Sequence, residues 1–315
     1  MNHISVVTPC YNEEANVDEV YAQTKAVMAT LDGISYEHLF IDNCSTDRTV
    51  EKLRALADRD PQVKVIVNTR NFGHVRSPYH GLLQANGEAV IMLVADLQDP
   101  PEMIKTFIAH WLAGTKIVVG VKPSSEESSL MFLVRRLYYR MVTRISDVKL
   151  IQNFTGFGLY DRQVIDVLKQ IDDPYPYFRG LISEIGFEAV QVPYNQPVRQ
   201  RGITKNNFYT LYDVAMLGIT SHSRVPLRLA TMIGFALSGF SLMVSLVYLL
   251  LKLFFWNQFS IGTAPVLIGV FFFASVQLFF IGLLGEYVGA ILTHVAKRPL
   301  VIERERINLP PQTKP

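Results

Sequence analysis

The sequence predicts a mostly parallel α/β sheet with helices on both faces, followed by two apolar helices paired as a hairpin. Three observations carry this. Short apolar runs alternate with helix-like stretches over residues 1–200, four successive runs end in acids and amides, and two uncharged stretches of membrane-spanning length lie near the C-terminus.

In chain order, "HISVVTPCY" reads as a strand, and "NEEANVDEVYAQTKAVMATLD" as a helix with acids in its first turn. "YEHLFIDNCS" is the second strand and "TDRTVEKLRALADRD" the second helix. "VKVIVNT", "HVRSPYHGLLQANG" and "EAVIMLVAD" continue the pattern as strand, helix and strand. No GxGxxG follows the first strand and no GxxxxGK[ST] occurs in the chain, which disfavours a dinucleotide-binding Rossmann domain and a P-loop enzyme.

Bulk composition narrows the classes. The 315 residues carry a formal net charge of +2 with 18% charged residues, so the balance gives no basic surface for nucleic acid. Hydrophobic residues make up 49% and mean hydropathy is +0.20, with the excess concentrated toward the C-terminus. The two cysteines, Cys10 and Cys44, sit in no CxxC or His/Cys cluster and read as reduced thiols. "MNHISVVTPCYNEE" has no basic segment leading into an apolar core, so the globular part is expected in the cytoplasm.

Leu229–Leu251 and Thr263–Gly285 are each 23 residues without a charge. A bilayer core of roughly 30 Å needs about 20 apolar helical residues, so both stretches are expected to span. Arg224 and Arg228 precede the first, Lys297, Arg298, Arg304 and Arg306 follow the second, and the connection holds only Lys252. Both ends are therefore expected in the cytoplasm, in the plasma (inner) membrane if the source is bacterial. Gly234, Gly239, Gly269, Gly282, Gly285 and Gly289 would let helices approach closely within or between chains, and a homo-oligomer is expected. The expected domains are a catalytic domain over 1–204, an amphipathic juxtamembrane helix over 205–224, the membrane pair over 225–296 (about 227–251 and 263–287) and a cytoplasmic tail over 297–315.

Ligands of such sheets collect at the carboxyl ends of the strands. Thr8, Tyr11, Asn12 and Glu13 end the first strand, and Asp42, Asn43 and Ser45 the second. Arg70, Asn71 and Gly73 follow the third, and Asp96 and Asp99 the fourth. Singly, each could be a cap or a turn residue.

The segments "VVTPCYNEE" (6–14), "FIDNCSTDRT" (40–49), "NTRNFGH" (68–74), "ADLQDPPE" (95–102), "GFGLYDR" (156–162) and "VRQRGITK" (198–205) occur in this order. Together the chain resembles the family-2, GT-A-fold glycosyltransferases, specifically the membrane-anchored polyprenyl-phosphate group. That group includes dolichol-phosphate mannose synthases and bacterial undecaprenyl-phosphate glycosyltransferases.

The resemblance implies roles residue by residue. Pro9, Tyr11, Asn12 and Glu13 would line the nucleotide pocket, Asp42 with Ser45 would hold the base or ribose edge, and Arg70, Asn71 and Gly73 would floor it. Asp96, with Asp99, would hold Mg2+ or Mn2+ on the diphosphate beside Gln98, and Arg199 and Lys205 would meet phosphate groups. The implied partners are a nucleotide sugar, with UDP favoured, a polyprenyl phosphate acceptor and membrane lipids. The implied reaction is inverting sugar transfer.

Two departures stand out. Val94 occupies the position where many relatives carry the first acid of an Asp-x-Asp pair, and "NFTGFGLYDR" lacks the acid many relatives carry before the aromatic segment. Asp161 itself reads as the start or cap of the next helix. The alternative readings are a catalytically weakened member acting as a binding or scaffold protein, and a GDP-mannose-using enzyme like the dolichol-phosphate mannose synthases. A processive polymer synthase would bring more spans, and a transporter would bring paired intramembrane charges.

Overall fold

The computed structural model describes residues 2–122, 151, 153–196, 225–254, 263–296 and 298–311. The strands are β1 (Asn2–Cys10), β2 (Ile34–Asp42), β3 (Val63–Asn68), β4 (Ala89–Met92), β5 (Ile117–Val121), β6 (Phe154–Asp161), β7 (Ala189–Pro193) and β8 (Glu303–Ile307). The helices are α1 (Val17–Met28), α2 (Thr49–Arg59), α3 (Gly73–Gln84), α4 (Met103–Leu112), α5 (Arg162–Gln170), α6 (Phe178–Glu184), α7 (Val225–Phe254) and α8 (Thr263–Val295).

All eight strands join one sheet in the order β7-β5-β6-β4-β1-β2-β3-β8. The centre, β4-β1-β2-β3, is parallel, as the strand–helix alternation predicts. The sheet as a whole is mixed. β6 runs antiparallel between β4 and β5, and β8 antiparallel on β3. Strand direction is set by which crossover feeds the strand, and an alternating or apolar run reads the same in either direction.

The period-2 pattern of the strands divides the core. Val6, Phe40, Val65 and Ile91 face α1, α2 and α4, meeting Val20, Leu53 and Phe107. Their neighbours Val7, Leu39, Ile41, Ile66 and Val90 face the other way, toward α3, α5 and α6, meeting Leu82, Leu168 and Leu181. Each such fully buried side chain contributes roughly 1.5–3 kcal/mol of transfer free energy. α3 lies close on its face because Gly81 has no side chain; a Cβ there would sit 2.9 Å from Ile41 Cγ2.

Parallel pairing aligns the carboxyl ends. Cys10 is opposite Asp42, Asp42 opposite Val67, and Val7 opposite Met92. Beyond Met92 the chain still follows β1, with the Leu93 N–H donating to the Val7 carbonyl at 2.9 Å. The polar ends of four strands therefore meet along one edge.

The long helices α7 and α8 have 30 and 33 residues and show large exposed apolar side chains. Among the described residues one helical stretch is long and apolar enough to cross a membrane, Phe272–Val295, with 24 residues and mean hydropathy 1.7. The apolar stretch described in α7, Leu229–Ser241, is shorter. The segment expected as a juxtamembrane helix, 205–224, lies outside the described residues. The segment expected as a tail returns to the sheet as β8.

Candidate active site

The loops after β1 and β2 interlock. Asn12, at φ 56°, donates its N–H to Ser45 Oγ at 2.8 Å, and its Oδ1 accepts the Thr46 N–H at 2.8 Å. Asparagine tolerates this left-handed backbone better than most residues. The Glu13 N–H donates to Thr49 Oγ1 at 2.9 Å, and its carboxylate accepts from Asn16 Nδ2 at 2.6 Å. Asp42 is fully buried. One oxygen accepts the Ser45 N–H at 2.9 Å and the other the Ser45 hydroxyl. Burial pushes the Asp42 carboxyl up, and the Ser45 bonds oppose that rise. Asp42 thus fixes Ser45, and Ser45 fixes Asn12.

The loop between β3 and α3 is built around Asn43, only 7% exposed. Its Oδ1 accepts the Phe72 N–H at 2.9 Å and Asn68 Nδ2 at 3.2 Å. Its Nδ2 donates to Asn71 Oδ1 at 2.9 Å and to the Gly73 carbonyl at 3.1 Å. Arg70 stacks on Phe72, with its guanidinium carbon 4.1 Å from the ring centroid. Gly73, at φ 88°, opens α3 from a conformation that favours glycine.

At the end of β4, Asp96 Oδ1 accepts the Gln98 N–H at 3.1 Å. Leu97 between them has φ 59°, which turns the chain sharply. Asp99 is 3% exposed, and its Oδ1 accepts the Tyr194 hydroxyl at 2.5 Å. Burial raises the Asp99 carboxyl to about 6, against the Tyr194 bond and the charge of Lys122. Burial lowers the Lys122 ammonium, with Asp99 and Asp96 opposing. Lys122 follows β5 and brings a cation to the acids of β4.

A cavity of about 180 Å³ opens at the end of β4, lined by Met92 and Val94 but not by Asp96 or Asp99. It runs from Pro9 past His74 and Val94 to Thr155 and Arg179. Val94, in the place of a second acid, forms part of an apolar wall with Met92 and Phe178. Pro9 is the predicted site residue among the lining, while the remaining described ones stand along the same strand edge. Arg199 and Lys205 lie outside the described residues.

Lys122, Arg179 and Tyr194 escape sequence reasoning: they follow β5, lie on α6 and follow β7, and no local motif ties them to β4, while His74 ends the "NTRNFGH" segment without a role of its own there. The available signal was a polar residue directly after an apolar run, as in "IVVGVK". Asp161, by contrast, caps α5 by accepting the Gln163 N–H at 2.9 Å, and it also accepts Trp111 Nε1 at 2.7 Å. It pairs with Ala89 at the far end of β4, away from the acids.

The glycosyl transferase family 2 model matches residues 5–168. An uncharacterised glycosyltransferase of Bacillus subtilis is 35% identical over 299 residues, spanning 95% of this chain and 92% of its own. The bactoprenol glucosyl transferase of Shigella phage SfII is 34% identical over 300 residues, spanning 95% and 96%. A crystal structure of glucosyl-3-phosphoglycerate synthase from Mycobacterium tuberculosis, in complex with Mn2+, uridine diphosphate and phosphoglyceric acid, shares the fold. Its TM-score is 0.50 at 18% identity, covering 70% of this chain and 76% of the other. With a mixed α/β sheet whose polar strand ends converge on one edge, and full-length relatives of this kind, the chain is a glycosyltransferase and belongs to glycosyl transferase family 2.

Proposed function

We propose that the enzyme transfers a sugar with inversion from a nucleotide sugar, a UDP-sugar by preference, to a polyprenyl phosphate. The observation that carries this is length. Bactoprenol glucosyl transferases match 95% of the chain over 300 residues, a length that extends well beyond the sheet domain into the apolar helices. A catalytic domain followed by apolar helices suits a soluble donor and a lipid acceptor. In this reading α7 and α8 form a two-span hairpin in the membrane, and the sheet domain works at the cytoplasmic face.

The Asn12–Ser45–Asp42 chain and the Arg70–Gly73 loop receive the nucleotide, in keeping with their place along the strand edge. Arg199 and Lys205 reach phosphate oxygens as a planar fork and a mobile point charge.

Among the described residues no three His, Cys, Asp or Glu side chains gather as a metal cage. A pair of carboxylates still fits Mg2+ or Mn2+, which typically take one or two carboxylates and complete their shell with water and substrate phosphates. Asp96 keeps an oxygen beyond its Gln98 bond, and Asp99, held on the buried side by Tyr194, lies within range of its charge. Such an ion, when bound, neutralises charge that develops on a departing diphosphate.

The chain's own residues do the rest. A lipid phosphate monoester, with a second pKa of about 6 by analogy with phosphorylated side chains, is already largely dianionic at neutral pH. A general base is dispensable, so the absence of an acid in "NFTGFG" is no obstacle. What the phosphate needs is positioning for in-line attack and relief from the donor's negative charge. Lys122 and Arg179 bring positive charge to the acids and the cavity respectively.

The test is nucleotide release by purified full-length protein with undecaprenyl phosphate, Mn2+ and a panel of UDP- and GDP-sugars, followed by NMR of the anomeric linkage. Release with an inverted linkage is expected. A retained configuration rules out single displacement, and no release with any donor favours the scaffold reading.

A further inference from the structure

The segment 70–73, which leads from β3 into α3, carries Arg70, Asn71 and Gly73, and residues 299–303 close it from both sides. Before it, the Thr69 N–H and Oγ1 donate to the Ile302 carbonyl at 2.9 and 3.0 Å. After it, the Arg76 guanidinium donates to the Pro299 carbonyl. One turn further along α3, His80 Nε2 meets Glu303 Oε1 at 2.6 Å, both groups being nearly buried. Glu303 also accepts from Arg306, whose guanidinium donates to Gln84 at the end of α3.

The backbone makes a second connection. Glu303 stands opposite Asn68 at the β3–β8 bulge, and Asn68 bonds to Asn43, the hub of the loop. These contacts divide by position. Residues 299–303 touch the flanks of the loop, whereas Glu305 pairs with Arg54 on α2 and Asn308 bonds to the Ala57 and Val63 carbonyls. Pro299 follows the end of α8 at Val295 by only four residues, so the apolar helix and the loop are joined by a short, bonded tether. A strand that merely covered the sheet edge would need none of the side-chain ties to α3.

We propose that Glu303, acting through His80 and the strand that carries it, is a positioning residue for the sugar-nucleotide donor. Membrane anchoring and donor binding are then coupled, because the segment leaving α8 sets the shape of the loop beneath the nucleotide. This rests on the assignment of that loop to the donor.

The experiment measures UDP affinity in the presence of Mn2+, by calorimetry on the full chain in detergent, beside thermal unfolding. Glu303→Ala is expected to weaken UDP binding about tenfold, the scale of one lost charge-assisted hydrogen bond. His80→Ala should do the same, and the double variant little more than either. Glu303→Gln, which keeps an acceptor for His80, should recover most of the affinity. Arg54→Ala, which breaks the Glu305 pair, should leave it unchanged. If Glu303→Ala does not fold, His80→Ala carries the test. Unchanged UDP affinity in these variants overturns the proposal, as does an equal loss in Arg54→Ala, which would mark a general stability effect. A wild type that binds neither UDP nor GDP overturns the donor assignment itself, and the proposal with it.

Discussion

Replacing Asn43 with alanine tests the site's internal wiring. The Phe72 N–H, in a residue only 7% exposed, loses its acceptor, and a buried unpaired donor costs about 1–3 kcal/mol. Asn68 keeps its bond to Ser77 at 3.0 Å, so its loss is smaller. The bonds to Asn71 and the Gly73 carbonyl reach exposed residues, where water substitutes and each is worth about 0.5 kcal/mol. The sum is about 3 kcal/mol. At about 2–4 °C per kcal/mol for a domain of this size, Tm should fall by about 6–12 °C. UDP affinity should fall as well, because Arg70 and Asn71 lose their frame. Asn43→Asp retains the acceptor for Phe72 and should lose roughly half as much. Thermal unfolding in detergent and UDP calorimetry provide the readouts. A Tm within about 2 °C of wild type, with unchanged affinity, would show that the loop holds its shape without Asn43.

Three further outcomes are expected. Asp96→Ala should cut Mn2+-dependent turnover by at least about a hundredfold with little change in Tm; unchanged metal-dependent turnover in the donor screen removes Asp96 from the metal site. Asp161→Ala should lower Tm through its lost cap and Trp111 bond, worth about 2 kcal/mol, while both KM values and kcat measured below the new Tm stay put; a kcat loss without destabilisation would restore a catalytic role. The third concerns pH. Burial opposes ionisation of Glu303, yet its His80 and Arg306 bonds bring the carboxyl down to about 2. A carboxyl depressed in the fold contributes stability that is full above its unfolded value near 4.3 and lost as pH falls toward 2. The contribution is up to about 3 kcal/mol, so acid melting of the wild type below pH 5 should be steeper than that of Glu303→Gln; parallel pH profiles contradict it.

The fold was legible where local pattern and tertiary demand agree. Val6 and Val7 face opposite cores because the strand period is two, and that is visible in "ISVV". Asp42, Ser45 and Asn12 were readable as a strand-end set because parallel pairing always brings carboxyl ends together. β8 was not readable. "ERERI" is a charged run that looks like a solvated tail, and its place on β3 depends on partners more than two hundred residues away. Asp99 reads as an acid near a metal, but nothing local shows that it is buried under Tyr194.

The sequence by itself determined the α/β alternation, the order of the polar strand ends, the apolar C-terminal segments and the family, since each is written in short-range periodicity or contiguous motifs. Only the tertiary structure decided the antiparallel insertion of β6, the approach of Lys122 to the acids that follow β4, the place of Arg179 in the cavity wall, and the return of residues 299–303 to the flanks of the segment 70–73. Those depend on which surfaces meet when the core closes. A side chain brought in from a distant element leaves no periodic trace of its destination.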